Sequence, residues 1–202
     1  MLEPGSQAVG ADFWFSSETQ FNALYPEAIR QMTRRHWTPI LVARQAADFL
    51  NTHPGVRILD IGSGVGKFCL AAAHYHPEAE FIGIEQRSSL VQHALIAQHT
   101  LGLGNVSFLT GNFRDLDFKD YQHFYFYNSF YENIAEQDHI DQEVDCSSDL
   151  FNQYSHCLFK KLREAPEGTR LVTYHSLETE IPANYHLVKS AINDYLKFWI
   201  KV

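Results

Sequence analysis

Polar and apolar positions along this chain change period repeatedly, and the changes mark its elements. Ser16 to Thr33 places Phe21, Leu24, Ala28 and Ile29 on one face, which predicts a helix. Thr38-Pro39 has the form of a helix start, a hydroxyl cap followed by proline at the first helical position. That helix is expected to reach about Asn51, where His53-Pro54-Gly55 stops it. From there strands and helices alternate. Val56–Asp60, Phe81–Glu85, Val106–Thr110 and His123–Tyr127 read as strands. Gly64–His76 and Ser88–Leu101 read as helices, closed by Pro77 and Gly102. A helix capped by Ser147 or Ser148 carries Leu150, Phe151, Tyr154, Leu158 and Leu162 and is expected to end at Gly168. Leu171–Tyr174 is a fifth strand, and Tyr185–Ser190 and Tyr195–Val202 form a hairpin turning at Ile192-Asn193-Asp194.

Such alternation implies an α/β fold, a mostly parallel sheet covered on both faces. Ligands of these sheets bind at the carboxyl ends of the strands, where the strand order reverses. The 202 residues suit a single domain, with residues 1–54 as an N-terminal arm and helices and residues 55–202 as the core. Phe13-Trp14-Phe15, at the end of the arm, read as a packing anchor in preference to a lid over a bound ligand. A net charge of −8, with Lys and Arg scattered apart from Arg34-Arg35 and Lys160-Lys161, argues against a nucleic-acid partner. Cys69, Cys146 and Cys157 make an odd set without C-x-x-C spacing, so neither a disulfide framework nor a metal site is expected, and a cytoplasmic setting is. The start, Met1 to Ser6, has no signal-peptide pattern, and no apolar run is long enough for a membrane span.

The stretch Asp60-Ile61-Gly62-Ser63-Gly64-Val65-Gly66 follows the first strand. A dinucleotide fingerprint would need glycine where Lys67 stands. A phosphate loop would need glycine at Ile61 and a hydroxyl at Phe68. A tight strand–helix turn without a ligand is the plain alternative. What remains is D-x-G-x-G-x-G with an acid, Glu85, at the end of the next strand. This resembles motif I of the class I S-adenosylmethionine-dependent methyltransferases.

The resemblance implies a Rossmann-like, mostly parallel seven-stranded sheet with a C-terminal antiparallel hairpin. It implies S-adenosyl-L-methionine as cofactor and S-adenosyl-L-homocysteine as product. Asp60, Gly62, Ser63, Gly64 and Gly66 would then line the cofactor, Glu85 with Gln86 beside it would meet the ribose hydroxyls, and Asn112 and the Phe113 backbone would meet the adenine.

The acceptor pocket of that fold follows the fourth strand, at Asn128-Ser129-Phe130-Tyr131-Glu132-Asn133. Asn128 is placed to orient an attacking amine and also borders the cofactor; Tyr131 is the second catalytic candidate, walling a channel with Phe130. The order Gly111-Asn112-Phe113, Phe126-Tyr127-Asn128-Ser129-Phe130 and Gly168 to Val172 resembles the lysine methyltransferases of the disruptor-of-telomeric-silencing type, whose second asparagine is Ser129 here. Asn128-x-x-Tyr131 is also similar to the N-P-P-Y motif of adenine amino-methyltransferases, without its prolines. No Lys or Arg occurs between Lys119 and Lys160, while Glu132, Glu136, Asp138, Asp141, Glu143, Asp145 and Asp149 do. That block reads first as a solvated loop and second as an attractor for a cationic acceptor, a protein lysine or a small amine. His175 is a candidate base at the pocket rim. The competing functions are a small-molecule O- or C-methyltransferase and a non-catalytic S-adenosylmethionine-binding module.

Overall fold

The computed structural model describes residues 10–31, 33, 37–130, 133, 144, 146–176 and 178–202. Strands β1 (Arg57–Ile61), β2 (Glu80–Glu85), β3 (Val106–Thr110), β4 (His123–Tyr127), β5 (Arg170–Tyr174), β6 (Tyr185–Ala191) and β7 (Leu196–Lys201) form one sheet in the order β3-β2-β1-β4-β5-β7-β6. The first five are parallel, and the β6–β7 hairpin joins β5 antiparallel. The helices are α1 (Ala11–Trp14), α2 (Glu18–Asn22), α3 (Glu27–Arg30), α4 (Ile40–Leu50), α5 (Lys67–Tyr75), α6 (Ser88–Leu101) and α7 (Ser148–Glu164). The order reverses at β1, which lies between β2 and β4, so a crevice opens at the carboxyl ends of those strands.

Side chains of a strand alternate between faces, and here each face has its own core. Ile58, Phe81, Tyr125, Val172 and Phe198 pack with α4, α5, α6 and the N-terminal turns. Leu59, Ile82, Phe124, Phe126 and Trp199 pack on the other face with α7. Burial on both sides explains why β1, β2 and β4 are nearly all apolar.

Where the structure departs from the sequence pattern, a local cause is visible. The single helix expected over Ser16–Thr33 is broken between α2 and α3, because Pro26 has no N–H and disfavours helical dihedrals at Tyr25. Tyr25 turns inward instead, and its hydroxyl donates to the Val65 carbonyl at 3.0 Å. Thr38 does not cap α4: its hydroxyl meets the Tyr125 hydroxyl at 3.0 Å, and the Ile40 N–H is taken by Glu18 Oε1 at 2.6 Å. The helix expected from Gly64 begins at Lys67, after the left-handed Gly66. The last helix stops at Glu164, ahead of Pro166, not at Gly168. Lys201 Nζ donates to the carbonyls at that end, those of Arg163 and the cap residue Ala165.

Two stability predictions follow from this packing. Gly66 has φ +82, and a Cβ there would collide with the Phe108 ring and lie 3.0 Å from the Ala94 Cβ. Gly66→Ala should therefore cost about 2–4 kcal/mol in urea unfolding, from left-handed strain and overpacking together. His123 is buried between Arg170 N–H, which donates to its Nδ1 at 3.0 Å, and Thr52 Oγ1, 2.9 Å from its Nε2. Burial lowers its pKa from 6.5 to about 4. The unfolded chain thus binds the extra proton between those values. The stability His123 contributes is intact above pH 6.5 and is lost as pH falls through about 4. Between pH 7 and 4 the loss attributable to His123 should be about 2–3 kcal/mol. His123→Gln should abolish that part of the pH dependence; a variant as acid-sensitive as the wild type would refute it.

Candidate active site

A cavity of ≈ 140 Å³ lies at the carboxyl ends of β1 to β4. The end of β2 organises it. Glu85 is buried, and its carboxylate accepts from Gly64 N–H at 3.1 Å and Arg87 N–H at 2.9 Å. One residue earlier, the Ile84 carbonyl accepts from both Gly62 and Ser63 N–H at 3.0 Å. The glycine loop is therefore strapped to β2 by three of its own N–H groups.

The glycines of the loop have different jobs. Gly62 has φ +79, and a Cβ on it would strike Ser129, which crosses from β4. Gly66 makes room for Phe108 and Ala94. Gly64, φ +53, faces open space, so it alone of the three lets a ligand come against bare backbone. Ser63 Oγ, by contrast, lies within 2.6 Å of where a Gly83 Cβ would be, over the sheet.

Asp60 ends the apolar run of β1 at the cavity floor. Burial pushes its carboxyl up to about 8, the Cys69 thiol at 3.5 Å draws it down, and the nearby Glu85 charge raises it again. Lys67, at the start of α5, is also buried in the cavity wall. Its Nζ is ion-paired with Glu18, bonds Asn22 Oδ1 at 3.2 Å, and lies over the Phe21 and Trp37 rings at 5.2 and 5.5 Å. Desolvation lowers its pKa, and Glu18 opposes that shift.

One end of the cavity is walled by rings. Phe113 stacks on Phe130 at 5.2 Å, and Tyr154 closes on both at 5.9 and 5.5 Å. Gln86 lines this end, and its Oε1 accepts from Asn112 Nδ2 at 3.1 Å and Tyr154 OH at 3.2 Å. Asn112 itself stands behind the wall, its Oδ1 occupied by Arg114 N–H at 3.0 Å.

The other end holds Tyr127 and Asn128. Asn128 takes φ +38, a conformation asparagine tolerates better than most residues. The bend lets Ser129 Oγ donate to the Ile61 carbonyl at 2.6 Å, pinning this loop to the end of β1. Ser129 is thus a structural clamp. Tyr131 and most of the acid block, from Glu132 to Asp145, lie outside the described residues.

His175 is exposed, stacks on Tyr195 at 4.4 Å, and does not line the cavity. Phe15 is buried against His74 at 4.1 Å, far from a lid's position, while Phe13 is exposed. Sequence reasoning missed Trp37, Thr38, Lys67 and Arg87 in the wall, while Asn133 falls in the stretch it assigned to the acceptor pocket. Lys67 carried a signal, as the lone charge of the glycine loop's helix start; the others had none at that level.

A methyltransferase domain model matches residues 52–197. A tRNA (guanine-N(7)-)-methyltransferase of Synechococcus sp. (strain JA-3-3Ab) is 48% identical over 54 residues, 27% of this chain and 23% of that protein. The chain thus matches under a quarter of that relative's length. Among solved structures, TrmN from Thermus thermophilus superposes with a TM-score of 0.60 at 18% identity, covering 86% of this chain and 52% of that one. An RNA methyltransferase from Salinibacter ruber in complex with S-adenosyl-L-homocysteine does so at 0.55 and 18%, covering 81% and 90%. At such identities these two establish the fold. The expectation against a nucleic-acid partner is overturned by the tRNA methyltransferase relatives: net charge averages over a whole surface, whereas phosphate contact requires only local positive potential. Closeness to the lysine methyltransferases that the motif order resembled is not supported: curated relatives of this chain are tRNA and 23S rRNA methyltransferases. The match of 52–197, carried on a sheet whose strand order reverses at β1, shows that the chain belongs to the methyltransferase domain family.

Proposed function

We propose that the protein transfers the methyl group of S-adenosylmethionine to a nitrogen acceptor presented beside Asn128. The carrying observation is the strapped glycine loop: Gly64 is open toward the cavity, and the Glu85 carboxylate sits beside it with lone pairs for a ribose diol. The residues fit the cofactor in three further respects. The ring end offers a flat heterocycle an apolar wall of Phe113, Phe130 and Tyr154 to lie against. Asp60, whose carboxyl burial disfavours as an anion, gains from an ammonium group. Asn128 has no side-chain hydrogen bond among the described residues, so its carboxamide is available to orient an incoming N–H. The cofactor supplies an electrophilic methyl on sulfonium; the protein aligns the acceptor and excludes water.

The relatives favour an RNA base as the source of that nitrogen. A second reading, a protein lysine or small amine, is favoured by the charge distribution. Between Lys119 and Lys160 the chain carries seven acids from Glu132 to Asp149 and no Lys or Arg.

S-adenosylhomocysteine should stabilise the protein by about 2.7 kcal/mol at 100 times its dissociation constant, a melting shift of roughly 5–10 °C at this size; NAD giving the shift instead would refute the reading. Glu85→Ala should weaken cofactor binding by about 1.5–3 kcal/mol in calorimetry. Gly64→Ala should cost only about 1–2 kcal/mol of fold stability yet lose most cofactor affinity, because its Cβ enters the cavity.

Asn128→Ala should lower kcat with cofactor affinity unchanged. The assay offers tRNA, rRNA fragments, a lysine-rich peptide pool and small amines in parallel. Turnover of Asn128→Ala at the wild-type rate would remove Asn128 from the site, and transfer to oxygen or carbon alone would refute the nitrogen acceptor.

A further inference from the structure

Outside the cavity, four rings gather where β4 and β5 end. Tyr127 and Tyr174 are register partners and the last residues of those strands. The residue after each, Asn128 and His175, takes a left-handed backbone, with φ +38 and +55. His175 therefore stands one strand over from Asn128, beside the cavity end that Tyr127 lines. Its ring lies 5.7 Å from that of Tyr127 and 4.2 Å from that of Tyr174. It also stacks on Tyr195, 4.4 Å away. His175 is exposed, and Tyr195 is 51% exposed.

The β6–β7 turn holds Tyr195 in that place. Ile192, Asn193 and Asp194 are all left-handed, with φ +53, +53 and +65. For a β-branched residue such as Ile192 that backbone is strained. The turn is braced by Ser190 Oγ, which donates to Asp194 Oδ1 at 2.6 Å, and by Tyr195 N–H, which donates to the Ile192 carbonyl at 3.1 Å. The Tyr195 carbonyl in turn accepts from His175 N–H at 3.0 Å. Because Tyr195 remains half in solvent, its own burial does little to offset the strain.

The ring angles indicate what such a surface takes. Tyr127, His175 and Tyr195 succeed one another at 31° and 25°, while Tyr174 meets Tyr127 at 55° and His175 at 65°. Rings at small mutual angles present flat faces on which another flat ring stacks. An ammonium cage instead needs faces turned toward one point. Partial burial lowers the His175 pKa, so its ring stacks in the neutral form at neutral pH. Since His175 and Tyr195 do not line the cavity, the ring they take is a neighbour of the reacting group.

Resting on the RNA-base reading above, we infer that Tyr195 and His175 form a stacking platform for the base next to the methyl acceptor in a single-stranded stretch of RNA. The strand ends then divide the work: Asn128 after β4 meets the acceptor, and His175 after β5, with Tyr195, holds the adjoining nucleotide.

The test uses a mixed-sequence single-stranded RNA of about eight nucleotides, within the span such surfaces cover. It carries 2-aminopurine, whose fluorescence falls on stacking, and S-adenosylhomocysteine is present throughout. Wild type should bind this RNA and quench it. Tyr195→Ala should bind about tenfold more weakly, the loss of one base–aromatic stack, and should quench less. Tyr195→Phe keeps the ring and should behave as wild type. His175→Asn, which suits the left-handed backbone, should also weaken binding. Calorimetric affinity for S-adenosylhomocysteine should be unchanged in all three variants, which shows that they are folded. A wild type that binds no RNA overturns the inference. So does Tyr195→Ala binding as tightly as wild type, or Tyr195→Phe binding as weakly as Tyr195→Ala. A lysine-rich peptide that binds wild type and is lost in Tyr195→Ala would make the rings a cation site, which overturns it too. The two readings fail separately. Methyl transfer to an amine by a protein indifferent to RNA removes the platform and leaves the nitrogen acceptor standing. Transfer to oxygen or carbon alone refutes the nitrogen acceptor, whatever Tyr195 does.

Discussion

The last two residues of β2 hold the site together. Ile84 offers its carbonyl to Gly62 and Ser63, Glu85 offers its carboxylate to Gly64 and Arg87, and the Glu85 carbonyl receives Gly111 N–H at 2.9 Å. Three loops, after β1, β2 and β3, thus converge on one dipeptide. A carboxylate as buried as that of Glu85 is tolerable because it is hydrogen-bonded by backbone donors that cannot move away. With that junction in place, Gly64 faces the cavity and the helix behind the loop starts at Lys67.

The N-terminal segment completes the wall by contacts far apart in sequence. Tyr25 reaches Val65, and Glu18 joins Lys67 to the first N–H of α4. Thr38 is drawn off its capping role to meet Tyr125. A buried ammonium needs a counter-charge, so Glu18 ties the arm to the glycine loop, and its loss would leave Lys67 buried and unpaired. The Phe21 and Trp37 rings lie against the ammonium, while half of the Glu18 side chain stays in solvent.

The cavity also shows how the same residue type takes different roles. Asn112, Asn128 and Asn133 each carry one carboxamide. Asn112 is engaged through both its nitrogen and its oxygen, Asn133 is engaged through its nitrogen at Phe130, and Asn128 takes a left-handed backbone where it lines the cavity. What separates them is which hydrogen bonds the surrounding chain has already taken, a property that residue type does not carry.

The alternation of β and α periods determined the parallel sheet, its terminal hairpin and the position of the glycine loop, because these depend on local spacing and on which faces must be buried. The boundaries of β3, β4 and α6 were legible to the residue: each is flanked by a residue with its own backbone preference, such as the left-handed Gly102. Glu85 was legible for a similar reason, as an acid ending an apolar strand. The break at Pro26 was read through, because the helical spacing of Phe21, Leu24, Ala28 and Ile29 masked proline's local effect on its neighbour. Only the tertiary structure decided that Gly62 and Gly66 serve packing while Gly64 serves the cavity, since that depends on Ser129 and Phe108 arriving from other strands. It alone decided the placing of Lys67, whose environment is assembled from segments tens of residues apart. Periodicity describes one element at a time; a site at the ends of four strands is made by the register between them.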